Sequence, residues 1–450
     1  MITLARKLRL TDYFTLGWGT MVGVGWLVVM DDWLLRGGSL GAVLGFVIAG
    51  VFILPIGWVY GRLIAAMPDA AGEIAYTAAA FSRPVSFATG WMMMLSYFIV
   101  CPWEAVAVGR IAGYIFPSLD SIELYRVAGR PVYLPHLVIG LGLTVLLTML
   151  NYRGIRLSAT FQNWTAFGTL ALFAVFVAAG AGKGSHENLP PLFTHSPFVS
   201  ILLVIQIVPY FMAGFEAVAK AAEESSSTFR TSDFFRAMWI AIVVGILFYA
   251  IVIAAVAYVG PWRALTGEKF MTAVVFERAV GSRWIVNVIL AAALLSLFKC
   301  FNGNFVAAAR LVFALGRREL ISTHAGRIHS RYQTPSAAVL CIGGATAACM
   351  FLGDAILVPI TEVGSVASAI GWAAACAACF YLGRGEISEG SLKLSSVAKA
   401  VVILAFLVAL AMVVMKIVPG IPGAFTPYEW LALAIWVGLG VLSHRRGVAG

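Results

Sequence analysis

Long apolar runs follow one another along almost the whole chain, and no other feature narrows its fold as much. Segments of spanning length lie near 13–35, 40–66, 86–115, 135–151, 158–181, 199–222, 234–259, 284–314, 335–353, 357–382, 398–418 and 427–443, twelve in all. Runs of this length are expected to cross a bilayer as helices, because a helix satisfies its own backbone amides and carbonyls where no water reaches them. Of 450 residues, 61% are hydrophobic and 12% charged, a balance no water-soluble domain needs. The expectation is an all-α polytopic membrane protein with twelve transmembrane helices. Behind Arg6, Lys7 and Arg9 the first run is too long for a signal-peptide core and lacks a cleavage-like end, so it reads as the first span.

Two segments are interrupted. The first carries Gly17, Gly19, Gly23 and Gly25 within nine residues, Gly17-Trp18-Gly19-Thr20-Met21-Val22-Gly23-Val24-Gly25. Each interior glycine costs a helix about 1 kcal/mol relative to alanine. The stretch therefore suits a helix broken at mid-depth, with freed N–H groups aimed at an anion, and it suits close packing through small residues as well. The sixth segment holds its counterpart, Pro209-Tyr210-Phe211-Met212-Ala213-Gly214-Phe215-Glu216. Paired interruptions in corresponding segments of two halves point to a secondary transporter's midplane site.

Lysine and arginine set the orientation. With the amino terminus inside, about 20 fall on the cytoplasmic side and about 9 outside, so both termini are expected in the cytoplasm. Segments 1 and 6 are five apart, an odd number, so the two halves run through the membrane in opposite directions. That is an inverted five-helix repeat: 1–182 as the first (helices 1–5), 183–396 as the second (helices 6–10), and 397–450 as a peripheral pair, helices 11 and 12, suited to packing or oligomer contact.

The stretch from Tyr60 to Tyr76, expected to be a cytoplasmic loop, contains Met67-Pro68-Asp69-Ala70-Ala71-Gly72-Glu73. With the Gly23-Val24-Gly25 turn, Gly214-Phe215-Glu216 and the acidic pair Glu223-Glu224, Asn151-Tyr152-Arg153-Gly154-Ile155-Arg156 before the fifth segment, and Arg310 in the eighth, it resembles the amino acid–polyamine–organocation (APC) transporters over about residues 10 to 385. The resemblance implies a LeuT-like fold with helices 1 and 6 broken. Departures concern inner gating: Arg62 where an acid is usual, Ala71 for one loop glycine, and Ser225 to Thr228 for Asn-Pro.

An α-amino acid presents a carboxylate and an ammonium on one carbon. The positive end of a broken helix at Val22, Gly23, Val24 and Gly25 is expected to hold the carboxylate. Unwound carbonyls around Phe211, Met212 and Ala213, beside Gly214, would take the ammonium; the resemblance implies the same division. Aromatic walls are expected from Tyr210, and from Trp26 and Trp103, each of which also suits a core or lipid-facing position. Glu104, in the third segment with Arg110, binds a cationic group if it faces the cavity and otherwise neutralises a neighbour. For Glu216 the resemblance suggests gating or proton sensing.

Lys299 stands eleven residues before Arg310, about 16 Å along a helix and near mid-depth. Many proton-coupled relatives carry a fifth-helix lysine in place of a sodium ion between helices 1, 5 and 8; the matching position here is the uncharged Thr169. Lys299 is expected to supply that cation from helix 8 and to load and release a proton, the alternative being a static pairing with Glu104 or Glu216. Lys220 is expected to snorkel to the cytoplasm or meet Glu223 or Glu224.

Other classes find little support. The basic residues are spread over short loops and are no nucleic-acid footprint, and the histidines form no ligand cluster. Cys376 and Cys379 lie in an apolar run and read as small buried residues. No nucleophile motif, phosphate loop or dinucleotide turn is present, so neither enzyme activity, cofactor nor metal is expected. Asp31, Asp32, Asp354 and Glu362 read as vestibule charges. The functional expectation is secondary active transport of amino acids across a cell inner membrane by alternating access, coupled to protons, with lipid as the surrounding partner. The alternatives are an amine or polyamine permease and an amino acid exchanger.

Overall fold

The computed structural model describes residues 8–226, 230–384 and 392–448. Arg6, Lys7, Ser227 and Thr228 lie outside the described residues, as do the side chains of Asp354 and Arg446. In chain order the helices are α1 (Leu10–Met21), α2 (Gly25–Val28), α3 (Met30–Ala66), α4 (Glu73–Ala80), α5 (Arg83–Phe98), α6 (Val100–Ile115), α7 (Leu134–Arg153), α8 (Ile155–Ala181), α9 (Pro197–Ile205), α10 (Val208–Met212), α11 (Ala217–Lys220), α12 (Thr231–Val259), α13 (Met271–Val280), α14 (Arg283–Arg317), α15 (Ser336–Cys349), α16 (Leu357–Leu382), α17 (Ser396–Ile417) and α18 (Pro427–Val448). A short antiparallel hairpin, β1 (Glu123–Val127) with β2 (Arg130–Tyr133), joins α6 to α7. Among the described residues nine helices are long and apolar enough to cross a membrane, and the protein is an all-α polytopic membrane protein.

Local chemistry starts and stops these helices. Ser196 accepts the Val199 amide with Pro197 behind it at the start of α9, and Ser395 accepts the Ala398 amide at α17. Gly38 (φ +74) interrupts α3, so that residues 30–37 and 39–66 form separate helical limbs. The Leu40 and Gly41 amides there donate to the Leu192 carbonyl at 3.1 and 3.0 Å, and a Cβ on Gly38 would stand 2.6 Å from that oxygen. Gly41 and Gly45 let α9 approach closely, through Ser200 and Val204.

The stretch Arg83–Ile115, formed by α5 and α6, lies at the centre, 94% of its most apolar window being buried, against 28% for Arg156–Ala181 in α8. α1 packs on α8, α12 and α14; α10 packs on α16, and α16 on α17. Trp164, Phe198, Val397 and Tyr428 point outward, the disposition expected of a surface facing lipid.

One expectation is corrected. The stretch Tyr60 to Tyr76 is not simply a loop: α3 continues to Ala66, Gly72 (φ +51) turns the chain back, and α4 starts at Glu73. Tyr60, Glu73 and Tyr76 are all buried. α17 packs on α16 partly through charge: its Lys416 is fully buried and bonds Glu362 of α16.

Candidate functional site

α1 ends at Met21 and α2 starts at Gly25, with Val22 extended (φ −100, ψ 95) between them. A helix ending inside the protein leaves its last four carbonyls without helical partners. Here side chains meet four consecutive carbonyls at and just beyond that end, from Thr20 to Gly23. Asn304 Nδ2 donates to Thr20 O at 2.9 Å, joined by Cys300 Sγ at 3.2 Å. Tyr249 Oη lies 3.2 Å from Met21 O. Lys299 Nζ donates to Val22 O. Ser296 Oγ lies 3.1 Å from Val22 O and 2.8 Å from Gly23 O. α14 thus supplies four of the five capping residues and α12 the fifth. The Lys299 ammonium faces the negative end of α1 and stands 4.3 Å from the centroid of Trp18. Its bond goes to a carbonyl, not to Glu104 or Glu216.

The opposite side of the break presents amides. Glu104 of α6, 1% exposed, reaches them: Val24 N donates to Glu104 Oε1 at 3.3 Å. Gly23 makes the approach possible, since a Cβ there would run into the same carboxylate and into Cys300 Sγ. Glu104 Oε2 is buried and has no hydrogen-bond partner among the described residues, and the same holds for Tyr210 Oη. Both residues line a cavity of about 20 Å³ with Gly23, Gly25, Trp103 and Phe211. That is room for about one water molecule, so this conformation is closed around the break.

The second break adjoins the first. α10 ends at Met212, Ala213 is extended and Gly214 takes φ +132. Glu216 Oε2 accepts the Gly214 amide at 3.0 Å, within its own turn. Tyr249 Oη lies 3.1 Å from Phe211 O as well as near Met21 O, so one hydroxyl touches both breaks. Ser365 of α16 accepts the Tyr210 amide at 3.2 Å.

The structure brings the backbone of Val22 to Gly25 together with Trp103, Glu104, Tyr210, Phe211 and Lys299. Trp26 turns elsewhere, stacked 5.4 Å from Phe176 and edge-on to Phe248. Met212 lies behind the break, near Gly50 and Gly245. Lys220 neither snorkels nor meets Glu223 or Glu224; it is fully buried and pairs with Glu73 at 2.5 Å, with Tyr60 Oη 2.5 Å from the same oxygen. An ammonium at that depth needs a carboxylate, and the turn at Gly72 brings one in.

Charge pairs gather in two places. Beside the start of α1, Arg310 holds Glu224 through two bonds, of 2.7 and 3.3 Å, Arg317 holds Glu223 at 2.6 Å, and Arg318 holds Asp69 at 2.6 Å. Asn163 of α8 donates to Asp12 of α1 at 2.6 Å. Past the first break, Arg36 bonds Asp32 at 2.8 Å and Glu362 at 3.1 Å, and Lys416 also bonds Glu362. Sequence reasoning missed Tyr249, Ser296, Asn304, Arg36 and Lys416. Only the two cations carry a signal, being charges inside or beside apolar runs. Among the described residues no group of three or more His, Cys, Asp or Glu could hold a metal ion.

Comparison with known proteins places these features. A family model described as amino acid permease matches residues 8–442. The branched-chain amino acid permease BcaP of Bacillus subtilis is 25% identical over 376 residues, covering 81% of this chain and 77% of that one. The methylthioribose transporter of the same organism is 24% identical over 352 residues, 74% and 72%. The vacuolar cationic amino acid transporter 4 of Arabidopsis thaliana is 24% identical over 380 residues, 81% and 61%.

Proposed function

Since the chain belongs to the amino acid permease family, we propose that it moves amino acids with apolar side chains across a cell inner membrane by alternating access, driven by protons. The protein is a transporter rather than an enzyme. The arrangement that accompanies this proposal has twelve spans, with 1–182 and 183–396 as inverted repeats, 397–450 as the terminal pair, and both termini cytoplasmic. The shorter helical pieces at 10–28 and 197–220, with α18, would supply crossings beyond the nine long helices.

One observation carries the site assignment: a carboxyl group already rests on an amide of the first break, that of Glu104 on Val24 N. Backbone that accepts this group suits a substrate's carboxylate. The ammonium would meet carbonyls near Phe211 to Ala213, and Trp103, Tyr210 and Phe211 would wall an apolar side chain. The relative named a branched-chain amino acid permease is consistent with such a wall. Lys299 bonds the Val22 carbonyl where a bound cation would otherwise be needed, which favours protons over sodium. Loss of the Lys299 proton would weaken one of the four α14 contacts on the end of α1. Glu216, holding Gly214, would tie the second break to the same cycle.

A second reading has one specific support. Glu104 lines the cavity, and its Oε2, with no partner among the described residues, would accept the ammonium of an amine lacking a carboxylate.

The test is uptake by proteoliposomes of labelled L-amino acids with choline in place of sodium and an inward proton gradient imposed. Accumulation of apolar amino acids that collapses with the gradient is expected. A sodium requirement, or accumulation without a gradient, contradicts the coupling.

A further inference from the structure

Glu104 occupies the position proposed for the substrate. Its Oε1 takes the Val24 amide, Gly23 is shaped around it, and the adjoining cavity has no room for a second carboxylate. A substrate carboxylate and an ionised Glu104 cannot share those amides in a dry site, since like charges at such range are relieved by a proton on one of them. Two of the residues lining that cavity each carry a buried polar atom, Glu104 Oε2 and Tyr210 Oη, with no partner among the described residues.

The groups facing Glu104 are few. Cys101 lies one turn earlier on its own helix, Cys300 and Lys299 face it from α14, Tyr210 from α10 and Tyr249 from α12. Lys299 is the one cation among them and is engaged with Val22 O. Arg110, six residues on, is directed to the outer ring of Phe270. No second carboxylate is in that set, so Glu104 is the group placed to answer an arriving anion.

We propose that Glu104 competes with the substrate's carboxylate for the amides of the first helix break and yields them only on taking a proton, so that one proton and one amino acid enter together. The proton comes from the outer aqueous phase and lands on a Glu104 carboxylate oxygen, which becomes an O–H donor. The substrate carboxylate replaces Glu104 Oε1 on Val24 N. On the inner side the exchange reverses, the proton leaves to the cytoplasm, and Glu104 returns to Val24 N and expels the substrate. This rests on the amino-acid reading of the site and adds the group that enforces its coupling.

The experiment uses the full-length protein in lipid nanodiscs. A panel of L-amino acids is titrated by calorimetry, and the tightest binder is then measured from pH 5 to pH 9 in weak buffer with a pH-indicator dye. The expected result is one proton taken up per molecule bound on the alkaline limb, with affinity falling about tenfold per pH unit there. In E104Q, affinity is expected to be flat with pH, without proton uptake, and an imposed gradient should no longer concentrate the probe. Wild-type affinity that is flat with pH overturns the proposal whether or not the variant folds. So does a folded E104Q that keeps the proton uptake, or one that binds nothing, because Glu104 would then be a direct substrate ligand. If the wild type binds no amino acid, the amino-acid reading itself falls, and the proposal with it.

Discussion

Gly214 lies against the backbone of Met21: a Cβ on it would stand 2.6 Å from the Met21 amide nitrogen and 3.0 Å from its Cα. At φ +132 it also holds a conformation that side chains avoid. The two breaks touch through this residue, so G214A meets two independent penalties. Backbone strain alone is worth about 1–3 kcal/mol, and the contact adds to it, because backbone cannot swing aside as a side-chain tip does. The expected outcome is a lowered melting temperature in detergent and loss of uptake. A variant with wild-type stability and uptake would show that the breaks do not need to touch.

Lys299 places its charge on the carbonyl end of α1, bonded to Val22 O and over Trp18. In K299A that carbonyl keeps only Ser296, whose hydroxyl is shared with Gly23 O. Gradient-driven uptake should fall at least tenfold, and wild-type uptake should be unchanged when choline replaces sodium. Intact pH-driven uptake in K299A removes Lys299 from the coupling.

Glu73 and Lys220 form a fully buried ion pair at 2.5 Å. Removing one partner from such a pair typically costs about 3–5 kcal/mol, because the other charge stays buried alone. E73A and K220A should each lower the thermal midpoint strongly. E73Q combined with K220M should recover part of that loss, since neither charge then remains. A double variant worse than either single would show that neighbouring groups, not the pair, carry the stability.

At the face proposed as inner, burial pushes the Glu223 carboxyl up, but the Arg317 guanidinium outweighs burial and holds it below the usual glutamate range. A carboxylate lowered in the folded state contributes stability that is present above its unfolded value and lost as pH falls through the folded one. The inner closure should therefore loosen in acid, below the usual glutamate range, and not near neutrality. Cleavage by an added protease at the inner loops, followed from pH 7 downward, should rise in the wild type. In E223Q it should be raised already at pH 7 and change less with pH.

The positions of the breaks were legible in the sequence, because glycine is costly in a helix interior and the paired interruptions at Gly23-Val24-Gly25 and Gly214 outweighed the packing reading, which holds for Gly17 and Gly19 inside α1. The polypeptide that serves those breaks was not. Ser296 and Asn304 are ordinary polar residues in an apolar run, and Tyr249 looks like any aromatic. Their role comes from facing Thr20 to Gly23 across the bundle, and helical periodicity does not say which helix faces which. The partner of Lys220 was hidden for a similar reason: Glu73 lies 147 residues away, in a stretch whose loop residues masked a helix start. Trp26 was misleading as a wall candidate, since proximity to the glycine turn along the chain did not decide which side its ring would take.

The most direct measurement is competition during gradient-driven uptake by proteoliposomes, with each amine competitor matched to a labelled amino acid and lacking only its carboxylate. The Val22 amide stays in the α1 ladder, bonded to Trp18 O at 3.0 Å, so the expectation narrows to Gly23 to Gly25; if those amides bind the substrate's carboxylate, the amines fail to compete at concentrations where the parent amino acids block uptake. If the amines compete as well as the parents, the breaks do not recognise a carboxylate. Glu104 would then be the primary recognition group for an amine, and amino acid recognition by the first helix break would be contradicted.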